Sequence, residues 1–262
     1  MNIIVCVKQV PGTTKVAVDE NTGVLLRSGV EAKLNPYDLY ALETAVQIKQ
    51  TYGATITVIT MGPPQAAEAV REAFALGADN GIMLTDMAFA GADTLATAYA
   101  LAGGIGTRCK YDLIVCGKQT TDGDTAQVGP SLAEFLDIPH MSNVISIDKA
   151  GSENIHVSAD IGEYVGAYEI KLPCAITVDK GIYVPRLPSY KRMLESVKQE
   201  ITVLGLEDLA DTNPKMYGLS GSPTQVEKIY QPEAEAGQVI IDGSPNDIAS
   251  RLCHELRELK YL

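Results

Sequence analysis

No apolar run in this 262-residue chain reaches the length of a membrane-spanning helix. The apolar start, Ile3 to Val7, is too short for the core of a signal peptide and is followed by Lys8. It therefore reads as a strand, and a cytoplasmic protein without membrane insertion is expected. Positive charge is scarce: 21 Lys and Arg stand against 33 Asp and Glu, a net charge of −12. That argues against nucleic acid and anionic membranes as partners, because both require a basic surface. The five cysteines (Cys6, Cys109, Cys116, Cys174 and Cys253) are widely spaced, with no CxxC pair. Iron–sulfur and zinc sites are not expected, and a reducing cytosol fits. Cys6 and Cys116, at or near strand ends, read as buried apolar filler. His140, His156 and His254 have neither ligand nor triad spacing, so no metal site and no catalytic side chain is expected. Neither a dinucleotide GxGxxG nor a Walker loop occurs.

What is present is an alternation. Composition is ordinary for a globular chain, 46% hydrophobic and 21% charged. Strand signals at Ile3–Val7, Thr55–Met61, Ile82–Leu84 and Tyr111–Cys116 alternate with helical patterns. Asn35-Pro36 reads as an N-cap and first-turn proline for a helix through Leu39, Leu42, Val46 and Lys49. Ala66–Leu76 is a second helix closed by Gly77, and Asp93 caps a third, Thr94–Ala102. A hairpin is expected where Val16–Asp19 and Val24–Arg27 flank Asn21-Thr22-Gly23. Such alternation implies an α/β fold with a doubly wound, mostly parallel sheet. Ligands sit at the carboxyl edge of such sheets. Four loops there, Lys8–Gly12, Gly62–Pro64, Thr85–Asp93 and Gly117–Gly129, carry small or polar residues and together predict a cleft lined by backbone.

The Gly117–Gly129 loop is the most informative. An apolar strand ends at Gly117, a polar loop follows, and Pro130 opens an amphipathic segment, Ser131–Leu136. The backbone N–H groups of Gln127 to Ser131, with Val128 and Gly129 between them, fall at a helix start, where unpaired donors and the helix dipole suit a phosphate. Asp124, Thr125 and Ser131 can cap the helix or bond a ligand's hydroxyls; a plain, well-capped connection is the simpler alternative. Asp122 and Asp124 suit capping and loop geometry better than acid–base work.

After Pro139 the pattern changes to strands of a more antiparallel kind, at Asn143–Ile147, Ile155–Ser158 and Tyr168–Leu172, with a further short one at Ala175–Val178. From Pro185 regular periodicity weakens, and Pro185, Pro188, Pro214, Pro223, Pro232 and Pro245 punctuate a stretch expected to be extended rather than packed. A final amphipathic helix, Asp247–Lys260, sets Ile248, Leu252, Leu256 and Leu259 on one stripe. The division expected is a domain over 1–185 and an arm over 186–262 that wraps a partner subunit. Lys180, Arg186, Lys191, Arg192 and Lys198 make a local basic segment, either a solvated loop or a docking surface for an acidic partner.

Four segments carry a resemblance: VCVKQVP (Val5–Pro11), LNPYDLYALETAVQIK (Leu34–Lys49), VITMGPPQA (Val58–Ala66) and CGKQTTDGDTAQVGP (Cys116–Pro130). Over Met1 to about Lys198 the chain resembles the β subunit of electron transfer flavoproteins, heterodimers that carry electrons on flavin. The resemblance implies one α/β domain with a C-terminal arm embracing the α subunit. It also implies a cleft that holds AMP in simple carriers and a second FAD in flavin-bifurcating relatives. Nucleotide contacts are implied at Cys6, at Asn35, Tyr37 and Asp38, near Met61, and over Thr121–Leu132. The last stretch takes in Asp122, Gly123, Asp124, Thr125, Gln127, Val128, Gly129, Pro130 and Ser131. Tyr37 matches a position that approaches the α-subunit flavin. The segment DMAFAGADTLATA, Asp86–Ala98, resembles the bifurcating type: Gly91 and Ala92 would leave room for an isoalloxazine ring, and Thr94 and Thr97 would offer it hydroxyls. FAD is thus expected ahead of AMP, with NAD(H) as electron donor or acceptor and ferredoxin as a low-potential acceptor. RLPSYKRM, Arg186–Met193, resembles the family's recognition loop. There Leu187 would anchor a flavin-dependent dehydrogenase of acyl-CoA, enoyl-CoA or lactate type, with Lys191 and Arg192 beside it. The subunit would not be catalytic alone. A stand-alone ATP-hydrolysing enzyme on a related fold would need SGGxDS after the first strand, where this chain has KQVPGTT.

Overall fold

The computed structural model describes residues 1–12, 32–226 and 240–262. The hairpin expected around residues 21–23, and Pro232, lie outside them. Two compact units are present, Met1–Glu227 and Lys228–Leu262.

The first unit begins with β1 (Asn2–Cys6), then β2 (Gln9–Pro11) and β3 (Ala32–Leu34), followed by α1 (Pro36–Tyr52), β4 (Thr55–Met61), α2 (Ala67–Leu76), β5 (Asn80–Leu84), α3 (Thr94–Arg108), β6 (Leu113–Gly117) and α4 (Val128–Phe135). Next come β7 (His140–Ala150), β8 (Asn154–Asp160), β9 (Val165–Lys171), β10 (Cys174–Val178), α5 (Tyr190–Ser196) and β11 (Ile201–Leu204). The second unit holds α6 (Pro245–Glu258), capped by the Ser244 hydroxyl, which accepts from Asp247 N–H.

Among the described residues the strands form a nine-stranded sheet, ordered β11-β5-β4-β1-β6-β10-β7-β8-β9, and a separate β2–β3 pair. Pairing from β11 through to β7 is parallel, and β7–β8 and β8–β9 are antiparallel. β1 is central and apolar on both faces, as a strand covered on both sides must be. Ile3 and Val5 join the core under α1 and α2, while Ile4 and Cys6 join the core under α3 and α4. The chain steps from β1 outward to β4 and β5, then crosses back to place β6 on the other side of β1. The reversal of strand order, and hence the crevice favoured for ligands, lies between the carboxyl ends of β1 and β6.

The structure corrects the sequence reading in two places. The short strand at 174–178 does not extend the antiparallel group. All five of its residues are buried, and it inserts in parallel between β6 and β7, where both faces are covered. The stretch after Pro185 is packed rather than extended: β11 adds to β5 as an edge strand, and Leu204, Leu206, Leu209 and Tyr217 are buried in the core under α3. These residues belong to the unit Met1–Glu227. Pro188, Pro214 and Pro223 break the periodicity on which the sequence reading relied, but they do not stop the chain from burying apolar groups between them.

Candidate functional site

At the exit of β1 the Lys8 N–H donates to Asp38 Oδ2 at 2.8 Å, and the Lys8 carbonyl accepts from Asn35 N–H at 2.9 Å. Asn35 is fully buried and precedes α1, but its side chain does not cap that helix. Its Nδ2 donates to Asp38 Oδ1 and to the Gln119 carbonyl, both at 2.9 Å, and its Oδ1 accepts from Thr121 N–H at 3.3 Å. The expected N-cap is thus a tie between the start of α1 and the loop after β6. Lys8 Nζ adds an ion pair to Asp122 at 2.8 Å. Gly117 makes the close approach possible, since a Cβ there would lie 2.5 Å from Asp38 Oδ1 and 2.7 Å from the Tyr37 carbonyl carbon. Tyr37 itself is half-buried at the start of α1. Burial pushes the Asp38 carboxyl up to about 7, against the hydrogen bonds from Asn35 and Lys8 that favour its charge. With one protein donor on each oxygen, Asp38 supports the loop from behind.

Within the loop, Thr121, Asp122, Gly123, Asp124 and Thr125 are exposed. Asp124 and Ala126 take left-handed conformations, φ 52° and 56°, which non-glycine residues adopt at a cost that clusters at functional loops. α4 starts at Val128, two residues before the opening expected at Pro130. Ser131 N–H is used by the Gln127 carbonyl at 3.0 Å, and Pro130 has no N–H. Among the described residues the Gln127, Val128 and Gly129 amides find no protein acceptor. The anion-binding donors expected over Gln127–Ser131 thus narrow to the N-cap and first turn of α4. Gly129 is buried, and a Cβ there would lie 2.5 Å from Thr177 Cγ2 and 3.6 Å from Cys116 Cβ. Its small size lets α4 sit against β10. Cys6 and Cys116 are register partners on β1 and β6, and both are buried. The hydrogen bond to Cys116, reinforced by burial, pushes the Cys6 thiol well up, so it stays protonated and packs under the site. Met61 closes β4, half-buried against the same core.

The Asp86–Ala98 segment faces this loop. Asp86 accepts from Ala88 N–H at 2.9 Å and caps a short 3-10 turn, Met87–Phe89. Asp93 caps α3 by accepting from Ala96 N–H at 3.0 Å, and that helix runs on to Arg108, past its expected end at Ala102. Thr94 Oγ1 lies 3.3 Å from Thr125 Oγ1, which joins the first turn of α3 to the loop after β6. Thr97 is one helical step further along, and both threonines are half-buried. Gly91 does not serve to leave a void: its φ is 74°, and a Cβ there would lie 3.2 Å from Leu219 Cβ. Sequence reasoning missed Leu219 and its neighbours. Residues 204–224 supply an outer layer for this segment, and only the Gly218, Gly221 and Pro223 turn chemistry marked them.

The basic segment lies elsewhere, on α5 and the chain leading into it. Leu187 is 90% exposed, with Val184 and Tyr190 also open to solvent. Lys191 is exposed, with Glu195 of the next turn at 3.9 Å. Arg192 reaches over the end of α2, where a Cβ on Gly77 would lie 3.2 Å from its Nη1. Arg186 is not available for docking: its Nε and Nη2 grip the buried Glu43 carboxylate at 2.7 and 2.9 Å. Among the described residues no group of His, Cys, Asp or Glu could hold a metal ion, and no helix is long and apolar enough to cross a membrane.

The electron transfer flavoprotein domain family matches residues 22–209. The electron transfer flavoprotein subunit beta of Clostridium acetobutylicum is 41% identical over 262 residues, covering 100% of both chains. The chain belongs to the electron transfer flavoprotein family, as a β subunit. Its relatives include the caffeyl-CoA reductase-Etf complex subunit CarD of Acetobacterium woodii, 42% identical over 260 residues with 98% of each chain covered. Protein FixA of Azotobacter vinelandii is 39% identical over 259 residues, covering 95% of this chain and 92% of the relative. As an electron transfer flavoprotein β subunit the chain is one half of a two-subunit electron carrier.

Proposed function

We propose that this β subunit binds FAD in the β1/β6 crevice. Together with an α subunit, it passes electrons between NAD(H), a low-potential acceptor such as ferredoxin, and a partner flavin dehydrogenase by bifurcation or its reverse. The observation that carries the reading is the meeting of Thr94 and Thr125, with hydroxyls 3.3 Å apart. It brings the segment that resembles bifurcating relatives to the loop that offers free amides at Val128 and Gly129. The residues fit such a group. The N–H groups of Gln127, Val128 and Gly129, without a protein acceptor among the described residues, can receive pyrophosphate oxygens at a helix start, and the hydroxyls of Thr94, Thr97, Thr121 and Thr125 can bond ribityl or ring atoms. Bound there, FAD would supply one- and two-electron redox chemistry. The chain's own residues hold and orient: Asn35 and Asp38 brace the loop from behind, and no side chain acts as acid or base. AMP would use the same amides, which is why the phosphate end does not separate the two ligands.

The C-terminal part of the 186–262 arm, with Ile248, Leu252 and Leu256 on α6 and Leu259 at its C-cap, is read as the α-subunit contact. Leu187, with Lys191 and Arg192, is read as the dehydrogenase contact. Five free cysteines fit a cytoplasmic setting. The relative named as a subunit of a caffeyl-CoA reductase-Etf complex supports a partner oxidoreductase. The test is the flavin count of the co-purified heterodimer, read from its visible spectrum after denaturation and nucleotide release. Two flavins per dimer are expected. One flavin with AMP overturns bifurcation and leaves a simple carrier, and a colourless monomer that hydrolyses ATP overturns the whole reading. Leu187→Ala is expected to keep flavin content and lower turnover with the dehydrogenase.

A further inference from the structure

Residues 204–224 form an outer layer whose polar groups end, one after another, on the segment that carries Thr94 and Thr97. The Leu204 carbonyl accepts from Thr85 N–H at 3.0 Å, Leu206 N–H donates to Asp86 Oδ2 at 3.1 Å, and Leu219 N–H donates to the Ala90 carbonyl at 2.9 Å. Gly218, at φ 53°, passes so close that a Cβ would lie 2.2 Å from the Ala88 carbonyl oxygen. The Tyr217 ring packs on Phe89 with centroids 5.5 Å apart. The last contacts fall on Asp93. Its N–H donates to Ser222 Oγ at 2.8 Å, and Ser222 Oγ in turn donates to the Gly218 carbonyl at 2.7 Å. Asp93 Oδ2 accepts from Thr224 Oγ1 at 2.7 Å and from Thr224 N–H at 3.1 Å.

Asp93 divides its carboxylate. Oδ1 serves Ala96 N–H and completes the helix cap; Oδ2 serves Thr224 alone. The cap is satisfied without Thr224, so the second set of bonds adds nothing to the helix's own hydrogen bonding. What it adds is direction. An Asp side chain held at both oxygens, with its own N–H held as well, has one rotamer, and the first turn of α3 is fixed in rotation and height. Burial disfavours the charge on Asp93, yet the bonds from Ala96 and Thr224 keep its carboxyl below the usual range, so the clamp is ionic at neutral pH.

We propose that Ser222 and Thr224 are positioning residues for the cofactor site: through Asp93 they set where Thr94 and Thr97 present their hydroxyls. This rests on the reading of the β1/β6 crevice as a flavin site. Neither residue lies in the loops that line the crevice, and each acts through Asp93.

The test uses the heterodimer with α subunit, comparing wild type with Ser222→Ala/Thr224→Val, with Thr224→Val alone, and with Thr224→Ser, which keeps the Oγ1 donor. The expected result is an assembled double variant with its α-subunit flavin intact. Its β-subunit flavin should be lost about tenfold more readily, as the removal of bonds to a charged group implies. The visible circular dichroism of that flavin should change, and Thr224→Ser should match the wild type in both readouts. A double variant that melts lower but keeps wild-type flavin retention and circular dichroism overturns the proposal and reduces the clamp to a stabilising contact. If the double variant fails to pair with the α subunit, Thr224→Val alone is judged by the same two readouts. A wild-type heterodimer with a single flavin overturns the flavin reading and this role together, and the flavin count tells the two failures apart.

Discussion

The hydroxyls of Thr94 and Thr125 stand 3.3 Å apart, although 31 residues separate them in the chain. One opens α3 and the other sits in the loop after β6, between two residues in left-handed conformations. Their meeting joins the first turn of α3 to the loop after β6. Thr94→Val and Thr97→Val remove hydroxyls without changing volume much. Each variant is expected to bind β-subunit flavin about tenfold more weakly or worse, the cost of an unpaired polar ligand atom. The α-subunit flavin should stay. Flavin content after gel filtration reads the outcome; two flavins retained in both variants would remove these threonines from the site.

Gly129 and Gly117 are needed for packing, and their replacement should register first as instability. A Cβ on Gly129 would lie 2.5 Å from Thr177 Cγ2. Gly129→Val should destabilise the unit by about 1–3 kcal/mol as α4 is pushed from β10. Pairing Gly129→Ala with Thr177→Ser, which removes Thr177 Cγ2, should recover most of the loss. Thermal unfolding of the two variants and their combination tests this. If the losses simply add, the contact is not what limits Gly129.

Much of this was legible in the sequence. The strands of the parallel half are continuous apolar runs, and the polar loops at their ends declare themselves by contrast. Asp93 and Gly77 stand where a helix cap and a helix stop must be. What was not legible depends on partners distant in sequence. Asn35 has the look of an N-cap, and only the approach of Gln119 and Thr121 turns its side chain away. Gly129 reads as a phosphate-loop glycine, and only Thr177 beneath it shows that packing against β10 also requires its small size. The 204–224 layer has little periodicity because its buried residues, Leu206, Leu209 and Tyr217, are spaced by turns rather than by a helix or strand repeat.

Asp38 should leave a signature in the pH dependence of stability. Its carboxyl stands at about 7 in the folded chain against an ordinary 3.8, chiefly because it is buried. The groups that face it are Asn35 and Lys8, which favour its charge, and the like charge of Asp122, which opposes it. Between pH 4 and 7 the folded state therefore holds a proton that the unfolded state has lost. Its contribution is full below about 4 and falls away as pH rises towards 7, by a few kcal/mol at most. Asp38→Asn should flatten that part of the profile, at some cost throughout because an amide accepts from only one of the two donors. Denaturant unfolding at pH 5 and pH 7.5 compares the two proteins; an unchanged difference would mean that Asp38 does not titrate in this window.

Arg186 gives the opposite sign and a larger effect. Glu43 is a buried carboxylate gripped by the Arg186 guanidinium at two points, with Arg186 N–H at 3.2 Å and Gln47 Nε2 at 2.7 Å completing its shell. Burial alone would raise its acid value, but the Arg186 bonds prevail and hold it below the ordinary 4.5. The stability this pair provides is present above about pH 4.5 and is lost as acid carries the pH down through the folded value. Arg186→Ala strands the charge and should cost about 3–5 kcal/mol at pH 7. Arg186→Lys should recover little, since an ammonium cannot span both oxygens. Adding Glu43→Gln to Arg186→Ala should restore part of the loss, because the stranded charge, rather than the missing guanidinium, is what costs most. A docking role for Arg186 predicts the reverse: normal unfolding at pH 7 in Arg186→Ala, with the defect confined to turnover with the dehydrogenase. The geometry at Glu43 favours the structural outcome and leaves Leu187, Lys191 and Arg192 among the side chains open to solvent on that segment.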